Sequence, residues 1–254
     1  VFSASSAPEL SVEPGSSRGY GAAVRRIGLL GGMSWESSVE YERVINREVR
    51  ARCGGVASAD LVVRSLDFSV IEQLQANDRW EEAGDVLAAA AIDLERAGAE
   101  VIVLCTNTMH RVIDRIEAAV SAEVLHIADA TAEAARRAGV ADLALLGTRY
   151  TMEADFYAGR LRERHGLTVR IPGEADRAEL HRIIYEELVV GVIDSTSKQR
   201  VVDMVERCVA GGATGVIAGC TEIELLIGPD DVPVEFLPTA RLHALAAVDR
   251  AFAD

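Results

Sequence analysis

Two short segments place a thiol where an apolar run gives way to polar residues. The first is VIVLCTNTMH at 101–110, which contains Cys105 next to Thr106. The second is AGCTEIELL at 218–226, in which Cys220 follows a small apolar run and precedes a predicted helix. A cysteine at a helix N-terminus has a lowered pKa, so this placement predicts a Cys220 thiolate near neutral pH. Such a thiolate can remove a proton from a bound substrate.

The elements that would position these segments alternate regularly along the chain. Short apolar runs rich in Val, Ile and Leu predict strands, and amphipathic helix patterns separate them. This alternation indicates an α/β protein whose parallel strands are covered by helices. The predicted strands are 25–30, 59–65, 99–105, 122–127, 141–147, 167–171, 214–219 and 232–237.

The chain contains one structural unit twice. IGLLGG resembles LALLGT, and GAEVIVLCTNT resembles GATGVIAGCTE. In the first copy the two motifs are 67 residues apart, measured from Gly31 to Gly98. In the second copy they are 65 residues apart, measured from Gly147 to Gly212. Two copies predict two pseudosymmetric lobes, each a parallel sheet flanked by helices, with the active site in the cleft between the lobes. The predicted boundaries are a flexible extension at 1–24, lobe 1 at 25–130 completed by 235–254, and lobe 2 at 131–234.

Aligning the two copies decides which residue of the first segment faces the cleft. Thr106 aligns with Cys220, and Cys105 aligns with Gly219. Because strand residues alternate between the two faces of a sheet, Cys105 and Thr106 should point apart. We therefore expect Thr106 in the cleft and Cys105 in the core.

Composition argues against several other functions. The net charge is −14 without a basic patch, which argues against a nucleic-acid partner. No apolar stretch approaches the roughly 20 residues that span a membrane. The absence of a C-x-x-C pair argues against a metal site, and GLLGGMSWESS lacks the glycine spacing of nucleotide loops. Lys198 is the single lysine and has no phosphate cradle beside it, which argues against pyridoxal phosphate.

The remaining cysteines bear on location and packing. Cys53 and Cys208 lie in helix patterns, and we interpret both as packing residues. Unpaired cysteines in a chain without an apolar leader segment predict the reducing cytoplasm.

Four motifs, GGMSWESS, CTNTMH, LLGTRYTM and GCTEIELLI, occur in an order that resembles the aspartate/glutamate racemase family from about Arg25 to Phe252. The resemblance implies a PLP-independent amino-acid racemase that needs no cofactor, forms a homodimer and acts on aspartate, glutamate or a related amino acid. Members usually place one cysteine on each side of the substrate α-carbon. Inversion requires this pairing because a proton is lost from one face and gained on the other.

The chain departs from the family pattern at the first catalytic position. The usual motif is C-N-T, whereas here Thr106 immediately precedes Asn107. The resemblance therefore assigns catalysis to Cys220 together with Thr106. A threonine hydroxyl cannot act as a base near neutral pH. A similar branch of the family carries threonine at this position, which implies a racemase biased towards the L-enantiomer.

The resemblance also implies a set of substrate contacts. Hydroxyls and backbone amides would hold the α-carboxylate, and a cation, either Arg64 or Lys198, would hold a distal carboxylate. Glu222 could orient the Cys220 thiol or the substrate ammonium, or be an ordinary charge at a helix start. The predicted contacts are Met33, Ser34, Arg64, Asn107, Thr108, Thr148, Thr151, Lys198, Thr221 and Glu222.

Two alternatives to the racemase stay open on the sequence. A single thiol also suits an arylmalonate decarboxylase or a maleate isomerase of the same superfamily. In the decarboxylase arrangement, one thiol protonates a planar intermediate. The other alternative is an amino-acid-binding protein that kept the cleft and lost one base. The GGMSWESS and TNTMH loops favour the racemase.

Overall fold

The structure, a computed structural model, describes residues 24–253, so the extension predicted at 1–24 lies outside the described residues except for Val24. Strands and helices alternate through the first half of this range. They follow the order β1 (Ile27–Gly31), α1 (Trp35–Cys53), β2 (Leu61–Ser65), α2 (Phe68–Ala76), α3 (Trp80–Arg96), β3 (Val101–Leu104), α4 (Ile113–Ala119), β4 (Glu123–Leu125) and α5 (Ile127–Ala138).

The second half repeats the alternation. Short 3₁₀ turns at Thr108–Val112, Leu188–Val190 and Pro229–Asp231 join some of the elements of the two halves. The order is β5 (Asp142–Gly147), α6 (Arg149–Glu153), α7 (Asp155–His165), β6 (Thr168–Arg170), α8 (Glu174–Glu186), α9 (Ser195–Ala210), β7 (Gly215–Gly219), α10 (Ile223–Leu226), β8 (Glu235–Pro238) and α11 (Thr239–Ala251).

The strand predictions are confirmed, since each strand lies within one residue of a predicted run. The central strands β1, β3 and β7 are buried along their whole length, while the edge strands β2, β4 and β6 are partly exposed. Helices cover both faces of a central parallel strand, so an unbroken apolar run is what such a strand requires.

The two halves form two sheets with one topology. The strand orders are β2-β1-β3-β4 and β6-β5-β7-β8, and all neighbouring strands are parallel. Gly98 and Gly212 occupy the same helix-to-strand turn in the two copies, with φ of 89° and 108°. L-residues with side chains avoid this region, which accounts for a glycine in both copies. The predicted two-lobe α/β fold is confirmed.

The last helix of each copy packs on the other lobe. The apolar face of α5 joins the core of the second lobe, whereas α11 buries Ala244 and Val248 in the core of the first. The lobes are thus joined by exchanged helices. Residues 235–238, which the predicted boundaries assign to lobe 1, form β8 of the second sheet, and the division into lobes otherwise stays a prediction.

Cys208 is buried as predicted, but Cys53 is exposed, because it is the last residue of α1 and lies beyond the buried stripe of that helix. No helix between residues 24 and 253 combines the length and the apolar character needed to cross a bilayer.

Candidate active site

A cavity, hereafter the cleft, lies between the two lobes. Its walls come from the loops that follow β1, β3, β5 and β7, and from α2 and α8, as expected for a ligand site at the carboxyl ends of parallel strands. It brings together most of the predicted site residues: Met33, Ser34, Thr106, Asn107, Thr108, Thr148, Cys220, Thr221 and Glu222.

A hydrogen-bonded thiol and carboxylate lie in the cleft. Cys220 Sγ donates to Glu222 Oε2 over 3.0 Å. The other carboxylate oxygen, Oε1, accepts from Ser34 Oγ at 2.7 Å and from Ser37 Oγ at 3.1 Å. Glu222 is buried, and its hydroxyl partners come from the first lobe. The carboxylate is therefore fixed from both sides with one oxygen directed at the thiol, the geometry of a proton acceptor.

The pKa of Cys220 contradicts the lowered value expected from a helix N-terminus. Burial, followed by the negative charge of Glu222, raises the pKa of this thiol well above its ordinary value. The following helix, α10, has only four residues, and the charge nearest to the sulfur is a carboxylate. Cys220 is consequently a thiol in the free protein, and a base must take its proton before it can act on a substrate.

Thr106 lies at the end of β3, in the position that corresponds to Cys220. Its side chain lines the cleft, whereas Cys105 is fully buried against α1 and α11, so the predicted alternation of these two residues is confirmed. The Thr106 carbonyl oxygen lies 2.7 Å from His110 Nδ1. Because His110 Nε2 accepts from the Ile127 N–H, Nδ1 must carry the ring hydrogen and donate it to Thr106.

Asn107 presents an acceptor without a partner. The Thr239 hydroxyl donates to the Ala218 carbonyl at 2.7 Å, so it can only accept from Asn107 Nδ2, 3.0 Å away. This contact fixes the amide orientation. Among residues 24–253, Asn107 Oδ1 is a buried oxygen with no hydrogen-bond partner. A buried acceptor in a cleft wall suits a donor on the ligand, such as an ammonium group.

Three threonine hydroxyls form a closed triangle beside Asn107. Thr108 Oγ1 lies 3.0 Å from Thr148 Oγ1 and 3.3 Å from Thr151 Oγ1, and the last two are 3.2 Å apart. Thr108 and Thr148 line the cleft, while Thr151 lies buried behind them. Hydroxyl hydrogens can rotate towards an anion, so the triangle can donate to a carboxylate.

The two predicted cations are not in the cleft. Arg64, on β2, is exposed, donates to the Ser65 carbonyl and lies 3.6 Å from Asp93. Lys198, on α9, pairs with Asp231 at 2.7 Å. Neither residue is part of the cavity wall.

The sequence did not indicate several residues of this site. Ser37 lies one helical turn after Ser34, and that spacing within GGMSWESS is a signal that could have found it. Gln75 and Tyr185 lie inside helices of different lobes, where no local motif marks them. Their side chains meet across the cleft, with Tyr185 Oη 3.4 Å from Gln75 Oε1.

Two paired α/β lobes thus enclose the thiol of Cys220, the carboxylate of Glu222 and a set of hydroxyls, groups that suit proton transfer on a small polar molecule. The family model for Asp/Glu/hydantoin racemases matches residues 30–247, and the chain belongs to this family. The protein is therefore an isomerase, and its family and structural relatives identify it as an amino-acid racemase.

Solved structures agree with this assignment. A provisionally assigned Asp/Glu racemase from Yersinia pestis is 50% identical, with a TM-score of 0.85 over 90% of this chain and 100% of that chain. An aspartate racemase homologue from Pyrococcus horikoshii OT3 is 36% identical, with a TM-score of 0.79 over the same shares. A glutamate racemase from Francisella tularensis in complex with D-glutamate shares the fold at 14% identity, with a TM-score of 0.61 over 91% of this chain and 82% of that one.

Proposed function

We propose that the protein racemises an amino acid with Cys220 as its one thiol acid–base group and with turnover biased towards the L-enantiomer. One observation carries the proposal. The Cys220 thiol donates to the Glu222 carboxylate in the cleft, while Thr106, a residue without a thiol, holds the corresponding position in the first lobe.

Substrate binding uses Asn107 of the first lobe and two threonine hydroxyls, one from each lobe. The α-ammonium group donates to Asn107 Oδ1, which otherwise lacks a partner within residues 24–253. The α-carboxylate accepts from Thr108 and Thr148, the two members of the hydroxyl triangle that line the cleft. Both contacts leave the Cα–H bond free to meet the sulfur of Cys220.

The proton steps then follow in order. Glu222 takes the Sγ proton of Cys220, and the thiolate removes the proton from Cα. The electron pair of the broken C–H bond moves into the α-carboxylate, giving a planar intermediate held by the same hydroxyls. A proton returns to Cα on the opposite face from water held by Thr106, which leaves hydroxide, while Cys220 keeps the proton that it removed. Glu222 then releases the proton that it took, which neutralises the hydroxide and restores the starting state.

The bias towards one enantiomer follows from the unequal groups on the two faces. Removing a proton on the Cys220 face uses a thiolate, whereas removing one on the Thr106 face would require an alkoxide or hydroxide. Resemblance to the threonine-containing branch of the family assigns the L-enantiomer to the Cys220 face.

The test is hydrogen–deuterium exchange at Cα in D₂O, measured separately for the L- and D-forms of each amino acid. We expect the initial exchange of the L-form to be faster by about a hundredfold, which is the lower end of the rate enhancement that one acid–base group contributes. Equal rates for the two enantiomers contradict the one-thiol proposal. Binding without exchange of either form identifies an amino-acid-binding protein instead.

Two further properties are proposed, the first on the family resemblance and the second on the unpaired cysteines. They are a homodimeric state and a cytoplasmic location. Light scattering of the purified protein tests the first, and fractionation of cells that express it tests the second.

A further inference from the structure

The charge of the cleft bears on which amino acid it accepts. Among residues 24–253, no lysine or arginine contributes to the cleft wall. Of the described residues in that wall, Glu222 is the one carboxylate, and the others have uncharged side chains or, for Cys220 and Tyr185, acidic groups with a raised pKa. The described part of the chain therefore offers a second substrate carboxylate no counter-charge in the cleft.

The two cations predicted as a counter-charge are already engaged elsewhere. Lys198 lies 2.7 Å from Asp231, and Arg64 lies 3.6 Å from Asp93. Drawing either cation into the cleft would separate an existing ion pair. The net charge of −14 adds a long-range repulsion against substrates with a net negative charge, such as aspartate and glutamate.

The end of the cleft that lies towards α2 and α8 is neutral. Phe68 and Gln75 come from the first lobe, and Ile184, Tyr185 and Val189 come from the second. The Tyr185 hydroxyl lies 3.4 Å from Gln75 Oε1, and Gln75 Nε2 lies 2.9 Å from the sulfur of Met109. An amide, a hydroxyl and apolar groups suit a neutral side chain, whereas a substrate carboxylate would be buried in the same cleft as the Glu222 carboxylate with no cation to pair with, which is unfavourable.

A cationic substrate side chain would not find a free carboxylate oxygen on Glu222. Both oxygens of Glu222 already accept hydrogen bonds, Oε1 from Ser34 and Ser37 and Oε2 from Cys220. A side-chain ammonium group that took Oε2 would displace the thiol from the base that activates it.

We propose that the substrate is an amino acid with a neutral side chain, amide-bearing or apolar, which lies against Gln75, Tyr185 and Val189. The proposal rests on the proposed function, because it concerns the same cleft and the same Cα proton. It separates this chain from the acidic substrates that the family name suggests.

The test uses pairs of L-amino acids matched in size and different in charge. Cα exchange in D₂O is measured for asparagine against aspartate and for glutamine against glutamate, with methionine and lysine added. We expect kcat/KM to be about tenfold or more higher for the neutral members. Faster exchange of aspartate, glutamate or lysine overturns the substrate class and leaves the racemase proposal standing. No exchange with any amino acid overturns the racemase proposal, and the substrate class falls with it.

A second measurement locates the side-chain end of the cleft. Val189 lines the cleft, whereas the next residue, Val190, is exposed and outside the wall. In Val189→Lys, we expect the ratio of glutamate to glutamine exchange to rise about tenfold, because the new cation meets the distal carboxylate. In Val190→Lys, we expect that ratio to stay within about twofold. An unchanged ratio in Val189→Lys, or an equal rise in both variants, overturns the assignment of this end.

Discussion

The ends of β3 and β7 occupy the same place in the two lobes but present different side chains to the cleft. After β7, Cys220 and Glu222 form a thiol–carboxylate pair. After β3, the corresponding residues are Thr106 and Thr108, and Thr108 belongs to the hydroxyl triangle. The end of β7 thus holds the pair that we propose for proton transfer, and the end of β3 contributes hydroxyls that suit substrate binding. The two lobes share one fold, but their strand ends carry different functional groups.

His110 and Glu224, two residues after Thr108 and Glu222, also correspond to each other in the two segments. His110 Nε2 accepts from the Ile127 N–H at the start of α5, and Glu224 Oε1 accepts from the Ala240 N–H at the start of α11. Each side chain therefore caps the helix that crosses to the other lobe. Burial lowers the pKa of His110 well below its ordinary value and raises the pKa of Glu224 to about 8. Both groups are uncharged near pH 7, although one is a base and the other an acid.

Removing the thiol after β7 should have the largest effect. In Cys220→Ala, we expect Cα exchange of the L-substrate to fall by on the order of 10⁴-fold, because the group that removes the proton is gone. The measurement is exchange in D₂O with the best substrate. Cys105→Ser is the matched control, since that thiol is buried behind the strand and should leave the rate within about threefold. A large loss in the control with retained activity in Cys220→Ala would reverse the assignment of the two strand ends.

Removing the carboxylate next to that thiol should have the second-largest effect. In Glu222→Gln, we expect exchange to fall by about 10²-fold, because no base accepts the Sγ proton. The pKa of Cys220 should fall in the same variant, since a negative charge that raises it has been removed. The pH profile of alkylation by iodoacetamide should therefore move to lower pH. Lower activity with an unchanged alkylation profile would contradict a direct Cys220–Glu222 couple.

The buried histidines behind the β3 end should make stability depend on pH. His126 packs on His110 with ring centroids 4.7 Å apart, and burial, followed by Arg160, lowers its pKa to about 3. Its folded-state pKa lies below the unfolded value of about 6.5, so its contribution is present above pH 6.5 and is lost as the pH falls towards 3. From pH 7 to pH 5 the loss is about 2 kcal/mol.

The variant His126→Asn tests this dependence. Asparagine keeps an acceptor for the Ala128 N–H at the start of α5 and removes the titrating ring. Urea unfolding at pH 7 and pH 5 should show a smaller difference in this variant than in the wild type. Glu224→Gln is the counterpart in the second lobe, where the raised pKa predicts a loss of stability as the pH rises from about 4.5 to 8. If His126→Asn leaves the acid-side loss unchanged, His126 is not its source.

The sequence alone was sufficient to predict which residues face the core and which face the cleft at the end of β3. Strand alternation and the internal repeat placed Cys105 in the core and Thr106 in the cleft, because both depend on backbone geometry alone. The ionisation of Cys220 could not be predicted, because it depends on where the Glu222 side chain turns and on the shortness of α10.

The sequence could not predict contacts that are made by long side chains or by residues of separate helices. Nothing local shows that Arg64 and Lys198 pair with surface carboxylates. The same holds for Gln75 and Tyr185, which are 110 residues apart in the chain and are brought together only by the packing of the two lobes.

Restoring a thiol to the β3 end should have the smallest effect and test the comparison most directly. In Thr106→Cys, we expect exchange of the D-substrate to rise about tenfold and that of the L-substrate to change little, because the second face gains an acid–base group. The gain should be limited, since Thr108 stands where the second lobe has Glu222, and the new thiol has no carboxylate to take its proton. Alkylation of the new cysteine confirms that it is accessible. An accessible thiol with no rise in D-exchange would show that Thr106 does not face Cα, and the one-sided chemistry would need another cause.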